Sequence, residues 1–325
     1  MFMSAVANFP LRFSEILGQS RAQKVLRRLW DSSRLAHGYL FRGPRGVGKR
    51  SCAVIFAAHL LCPQPHVDGG CGQCPACRKL ASANHPDLCF VRPEAGSIKI
   101  KQVRELRRDL EYPPFEAPFR ITIIEDINTM TTEAANSLLK TLEEPPSGNV
   151  LILTATDESE VWPTIVSRCQ SINFYLLSVA QTTAVLHRLA PETDEDGRRE
   201  AALFAEGSPG TALRILEHDM IALYQRVTAA VEAGIESTGH AELELLEAAA
   251  AMAALKDEVE MFLGMLRTWI YEKMAQGGSR ALAGSRVQLD AVDEALGQLR
   301  RHCNRALVCE VLLFNLQRSM QRVVS

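Results

Sequence analysis

The sequence predicts a parallel α/β domain carrying an inserted four-cysteine module, followed by a small helical domain and a larger all-helical one. Three observations predict it: short apolar runs alternating with amphipathic stretches from Phe13 to about Phe174, a glycine-rich loop between one such run and the next helix, and the end of strand-like text after Phe174. The runs Tyr39–Phe41, Leu88–Val91, Arg120–Ile124 and Val150–Thr154 are short and apolar, as strands buried on both faces are. Strands that alternate with helical stretches build a parallel sheet with crossover helices. From Ser178 onward Ala, Leu, Glu and Arg recur at helical spacing, broken at Gly207-Ser208-Pro209-Gly210 and at Gly277-Gly278-Ser279. The expected boundaries are 1–174, 175–217 and 218–325, because a chain of 325 residues exceeds the ~250 at which single cores usually stop growing.

Composition narrows the class. Hydrophobic residues at 47% and charged residues at 23% are those of a soluble globular protein. No run approaches the ~18 apolar residues of a spanning helix, and the first residues lack the pattern of a signal peptide, so a cytoplasmic location is expected. With 36 basic against 38 acidic residues and a net charge of −2, any contact with nucleic acid has to come from a local patch. Of nine cysteines, four cluster and the rest are scattered, which fits a reducing compartment. Cys52, Cys89, Cys169, Cys303 and Cys309 are expected as small buried hydrophobes.

Gly43-Pro44-Arg45-Gly46-Val47-Gly48-Lys49 follows the first strand and precedes a helix expected over Ser51–Leu61, the context of a phosphate-binding P-loop. Gly43, Gly46 and Gly48 let backbone N–H groups wrap a phosphate at the helix start, and Lys49 reaches the terminal phosphates. The full motif then needs Ser or Thr to hold Mg²⁺. Arg50 stands there instead, with Ser51 one residue later and about 100° further round the helix. Two outcomes stay open: ATP binding without efficient hydrolysis, with Mg²⁺ binding doubtful, or no nucleotide at all. The strand Ile121–Ile124 ends in Glu125-Asp126, where a Walker-B pair would hold the metal and polarise water, but in the reverse of the usual Asp-Glu order. Thr156, after the following strand, is a candidate sensor of the γ-phosphate. A glycine-rich turn and solvated strand-end carboxylates are the plain alternatives.

Cys62, Cys71, Cys74 and Cys77 read C-x8-C-x2-C-x2-C, a spacing that can close four thiolates around a tetrahedral Zn²⁺. Four sulfur ligands leave no open position, so the metal would be structural. An iron–sulfur cluster is the competing reading. Lys99, Lys101, Arg104, Arg107 and Arg108 form a basic run on an expected helix, either a solvated face or a contact for DNA phosphates.

Several segments together resemble the AAA+ subunits of the bacterial DNA polymerase III clamp loader, and among them the delta-prime type. Phe13-Ser14-Glu15-Ile16-Leu17-Gly18-Gln19 is similar to that family's adenine-pocket segment, and Arg34-Leu35-Ala36-His37-Gly38-Tyr39-Leu40-Phe41 to the strand entering its P-loop. The inserted cysteines match. Asn136-Ser137-Leu138-Leu139-Lys140-Thr141-Leu142-Glu143-Glu144-Pro145-Pro146 resembles its most recognisable stretch, Ser167-Arg168-Cys169 its arginine-finger motif, and Asn304–Glu310 the last helix of its collar. The resemblance implies an AAA+ domain, a helical lid and an all-helical oligomerising collar. It also implies partners: gamma/tau-like motor subunits and a delta-like clamp opener, with sliding clamp and primed DNA met through the complex. Motor subunits of that family hydrolyse ATP, whereas delta-prime acts largely as a rigid partner. Arg50, the reversed acids and Gly210, which stands where a motor's sensor-2 arginine is expected, all favour the second kind. Arg168, retained, would serve in trans on a neighbour's ATP. Two rivals stand beside this expectation: an active gamma/tau-like motor, and a zinc-dependent DNA-binding protein with a vestigial P-loop.

Overall fold

The computed structural model describes residues 9–31, 35–233, 240–276 and 279–324. Arg34 and the Gly277-Gly278 pair singled out above lie outside the described residues. The chain forms two compact units, one running to Leu189 and taking in Glu206–Thr211, the other comprising Ala190–Ala205 and Ala212 onward.

In the first unit five parallel strands, β1 (Gly38–Arg42), β2 (Leu88–Val91), β3 (Arg120–Ile124), β4 (Asn149–Ala155) and β5 (Gln170–Asn173), pair in the order β2-β3-β4-β1-β5. Helices α1 (Ser20–Asp31), α2 (Lys49–Leu61), α3 (Pro75–Ala81), α4 (Ile100–Leu110), α5 (Thr132–Glu143), α6 (Pro163–Val166) and α7 (Val179–Leu189) connect and flank them. Successive strand residues point to opposite faces, and both faces are covered. Tyr39, Phe41, Ile121, Ile123, Val150 and Ile152 pack on one side with Trp30 of α1 and Phe56 of α2. Leu40, Ile124, Leu151 and Leu153 pack on the other with Val103 of α4 and Leu138 of α5. This double burial is why β1, β3 and β4 read as apolar runs, while the edge strand β2 buries only Leu88 fully. The fifth escapes that signal because only Ile172 of its four residues is buried.

The register sets Phe41 beside Thr154 and Leu153 beside Ile124, so the carboxyl ends of β1, β4 and β3 lie side by side. Ligands of open parallel sheets bind in the crevice outside such ends. Helix α2 starts at Lys49, earlier than the expected Ser51, because Gly48 with φ 99° takes a left-handed entry that closes the loop straight into the helix.

The second unit is helical: α8 (Glu195–Phe204), α9 (Pro209–Glu217, beginning in the first unit), α10 (Met220–Ala233), α11 (His240–Ala254), α12 (Val259–Gln276), α13 (Ser279–Arg300) and α14 (Arg305–Val324). Its core is formed by Val227, Val231, Met252, Phe262, Leu266, Ile270, Val292 and Leu313, with α13 packed between α12 and α14, and α11 against α10 and α14. No helix among the described residues is long and apolar enough to cross a membrane. One expectation about the scattered cysteines fails: Cys52 and Cys309 are buried, but Cys89 and Cys169 are only partly so, and Cys303 is exposed. Cys303 sits in the turn that ends α13, its N–H bonded to Gln298 O at 3.1 Å, and such a turn faces water.

Candidate nucleotide and metal sites

The phosphate loop is shaped by positive backbone angles. Gly43, Gly46 and Gly48 have φ of 148°, 71° and 99°. A Cβ at Gly43 would lie 2.3 Å from Phe174 O, and one at Gly46 would lie 2.4 Å from Ser208 Oγ, so both must be glycine. Lys49 is 7% exposed and its Nζ donates to Pro44 O at 2.7 Å and to Gly43 O, folding back over its own loop. Burial lowers the Lys49 ammonium to about 8, with Asp126 opposing and Arg45 reinforcing the fall. The sequence-predicted lysine is therefore a desolvated cation on the loop carbonyls, able to exchange them for phosphate oxygens.

Glu125 and Asp126 follow β3 as expected, but each is paired with cations of this same chain. Arg50 Nε stands 3.2 Å from Glu125 Oε1, and Arg92 Nε, at the end of β2, stands 3.0 Å from the same oxygen. Arg45 Nη2 lies 3.5 Å from Asp126 Oδ2. The Arg50 contact is a Coulombic pair and not a well-aligned hydrogen bond, for its buried Nε has no hydrogen-bond partner. Burial pushes the Arg50 guanidinium below its ordinary range and Glu125 pulls it back. Asp126 adopts a left-handed φ of 50°, held by its N–H donating to Thr154 Oγ1 at 3.0 Å. Thr154, buried on β4, makes this contact to the acidic pair, while the sequence-predicted Thr156 follows two residues later, partly buried. Arg92, Thr154 and Phe9, which lies against Arg50, were not legible as site residues. A polar residue inside an otherwise apolar strand is the one signal that could have pointed to Thr154.

Ser51 is on another side of α2. It lines a cavity of about 360 Å³ together with Ile16, Val47, Gly48, Leu177 and Gly210. The displaced hydroxyl thus faces the cavity beside the Glu15–Leu17 segment, and Arg50 faces the carboxylates. Gln19 braces this side, its Nε2 donating to Val47 O at 3.1 Å and to Tyr175 O at 2.6 Å. The start of α9 locks onto the loop: Gly210 N–H donates to Gly46 O at 2.9 Å and Ser208 Oγ–H to Arg45 O at 2.8 Å. A Cβ at Gly210 would meet Gly46 Cα at 2.7 Å, so no side chain fits there without moving the loop.

Arg168, between α6 and β5, donates to Glu143 Oε1 at 2.7 Å and to Thr164 O at 2.9 Å, with its side chain 35% exposed. The basic run is carried by α4, where Lys99, Lys101, Arg104 and Arg108 are exposed opposite buried Val103, Leu106 and Leu110.

The four cysteines come together from the end of α2, the following loop and the start of α3. Their sulfurs lie within 4.8 Å of one another, with Cys62–Cys74 and Cys71–Cys77 both at 3.8 Å. Zinc–sulfur bonds of ~2.3 Å give tetrahedron edges of ~3.8 Å, so the donor set fits one Zn²⁺ and could hold it. A multi-iron cluster spreads its thiolates over several metals and fits this spacing less well. Backbone N–H groups of Gln73 and Cys74 donate to Cys71 Sγ at 3.4 and 3.3 Å and lower that thiol to about 6. Burial raises Cys62 and Cys77. The module is tied to the chain entering the cavity: Gly70 N–H donates to Leu11 O at 2.9 Å, and Arg12 donates to Gly70 O and Cys71 O.

The strand order, glycine loop and acidic end of β3 define a P-loop domain of AAA+ type. Residues 18–178 match the family described as "DNA polymerase III, delta subunit". That match spans just under half of the chain, which is thus similar over those residues to subunits of the bacterial DNA polymerase III clamp loader. It is 36% identical to DNA polymerase III subunit delta' of Pseudomonas aeruginosa over 195 residues, 59% of this chain and 60% of that one. It is 30% identical to DNA polymerase III subunit tau of Bacillus subtilis over 212 residues, 64% of this chain and 38% of that one. The chain therefore spans less than two thirds of these relatives. A DNA polymerase III gamma subunit-related protein of Thermotoga maritima shares the fold, with TM-score 0.50 at 19% identity, covering 91% of this chain and 99% of that one.

Proposed function

We propose that this chain is a delta-prime-like subunit of the DNA polymerase III clamp loader, a cytoplasmic ring component with little or no ATPase of its own. The observation that carries the reading is the Arg50–Glu125 pair at 3.2 Å, which sets a guanidinium where a motor's P-loop needs a magnesium-binding hydroxyl. Gly210 packed on Gly46 supports it, since an arginine reaching the γ-phosphate has no place there. In this reading 175–217 is the lid, 218–325 is the collar through which subunits assemble, and Cys62, Cys71, Cys74 and Cys77 hold a structural Zn²⁺. The partners are gamma/tau-like motors and a delta-like clamp opener, and together they place the sliding clamp on primed DNA.

Arg168 is the catalytic contribution. Stored on Glu143, it exchanges that carboxylate for the ATP of a neighbouring motor, where a cation supplied in trans stabilises charge developing on the transferred phosphoryl group. Arg168→Ala should leave assembly intact and lower turnover of the reconstituted complex about two- to tenfold, because only the site facing this subunit loses its finger. Unchanged turnover removes the role. A gamma/tau-like motor is the second reading, favoured by intact Lys49 and by the tau match. Brisk magnesium-dependent hydrolysis by the isolated chain would decide for it.

A further inference from the structure

Loss of a catalytic hydroxyl needs only Ala or Gly after the P-loop lysine. This chain has built something more. The Arg50 guanidinium lies 4.9 Å from the ring centre of Phe9 and 5.2 Å from that of Phe90, and the two rings are themselves stacked at 5.9 Å. Arg92 covers Phe90 at 5.1 Å, and its backbone carbonyl is gripped by Gln102 Nε2 at 2.8 Å. Cations stacked on rings lose little further freedom when they bind. Arg50 is thus pinned beside the phosphate loop.

The charges follow a pattern. An ordinary magnesium-using loop sets one lysine against two acids and depends on the ion to become attractive to polyphosphate. Here Arg45, Lys49, Arg50 and Arg92 surround Glu125 and Asp126, so cations outnumber carboxylates two to one before any ligand arrives. The same contacts do not fit Mg²⁺: both guanidiniums lie on the one oxygen, Glu125 Oε1, and the ion would have to evict a stacked arginine to reach it. The Arg50 Nε–H meets Glu125 Oε1 as an ion pair and not as an aligned hydrogen bond, a contact that phosphate oxygens can outcompete. The cavity of about 360 Å³ opens at Gly46, Val47 and Gly48 on the far side of the loop, giving room for the rest of a nucleotide.

We propose that this loop binds the polyphosphate of a nucleotide without magnesium, the Arg50 guanidinium serving as the fixed cation in place of the ion. The proposal rests on the P-loop reading and not on the delta-prime assignment. Its test uses the isolated chain, whereas the Arg168 test needs the whole complex, so the two fail separately.

A fluorescent ADP analogue is titrated into the full chain in magnesium-free buffer prepared over a chelating resin, which leaves protein-bound metal in place, and in the same buffer with excess Mg²⁺. The dissociation constants should agree within about twofold. Lys49→Ala should weaken binding at least about tenfold in both buffers, and Arg50→Thr at least about tenfold in the magnesium-free buffer alone, with recovery on adding Mg²⁺. Circular dichroism confirms folding, and if Arg50→Thr does not fold the wild-type comparison decides by itself. Binding that requires Mg²⁺, or no binding in either buffer at about millimolar analogue, overturns the proposal. So does an Arg50→Thr chain that binds as wild type does without the ion.

Discussion

The cysteine cluster and the phosphate loop sit at opposite ends of the same helix, α2, and they solve the problem of charge in opposite ways. At the C-terminal end four thiols converge within 4.8 Å of one another, and among the described residues no salt bridge pairs a cation with their sulfurs, an arrangement that is complete only when a metal removes their protons. At the N-terminal end the carboxylates that should want a metal are already neutralised by Arg45, Arg50 and Arg92. Similar donor chemistry therefore has different consequences. What decides is whether the chain supplies its own counter-charge.

The largest effect expected from this contrast is at the cysteines. Purified protein should carry about one Zn²⁺ per chain, and Cys77→Ser should lose it with destabilisation on the order of several kcal/mol, read as a fall in melting temperature. The loss should spread to Leu11–Ser14, which the module ties by Gly70 N–H to Leu11 O at 2.9 Å and Phe13 N–H to Asp68 O at 2.9 Å, and hydrogen exchange there should quicken. Strong chelation that leaves the melting temperature unchanged, or iron with visible absorbance, breaks the contrast at this end.

A middle-sized effect sharpens the other end. If the loop has lost motor function only by point replacement, restoring a sensor-2 arginine should help. Gly210→Arg should instead cost about 1–3 kcal/mol and yield no ATPase, since its Cβ starts 2.7 Å from Gly46 Cα and must push the loop or break the Gly210 N–H to Gly46 O bond. A stable, hydrolysing variant would show that the loop and α9 are free to move apart.

How much of this was readable beforehand follows from which forces are local. Strands β1, β3 and β4 were legible because burial on both faces leaves a mostly apolar text, as in β4, where every residue from Asn149 to Ala155 is buried and only Asn149 and Thr154 are polar. Strand β5 was not, because Gln170, Ser171 and Asn173 face water and only Ile172 enters the core. The loop glycines, Lys49 and the four cysteines are set by short-range spacing and could be named outright. The partners of Arg50 could not, for Phe9, Phe90, Arg92 and Glu125 reach it from an N-terminal arm and two neighbouring strands whose register only the fold supplies. Arg168 was visible as a motif, but its Glu143 partner lies 25 residues away.

The smallest effect tests Lys49 by itself. Burial lowers it to about 8, against the aid of nearby Asp126 and with Arg45 adding to the fall. The free protein therefore loses this charge as pH rises through about 8, well before an ordinary lysine would. A bound phosphate favours the protonated form, so above that point binding must take up a proton, and affinity falls as pH rises. Between about pH 8 and 10 the dissociation constant of the ADP analogue should climb by up to about tenfold per unit, while below about pH 7 the Lys49 charge adds no dependence. Lys49→Arg keeps its charge throughout and should flatten the profile. A wild-type profile already flat to about pH 10 would mean that the stacked guanidinium carries the phosphate without Lys49, which would then never leave Gly43 O and Pro44 O.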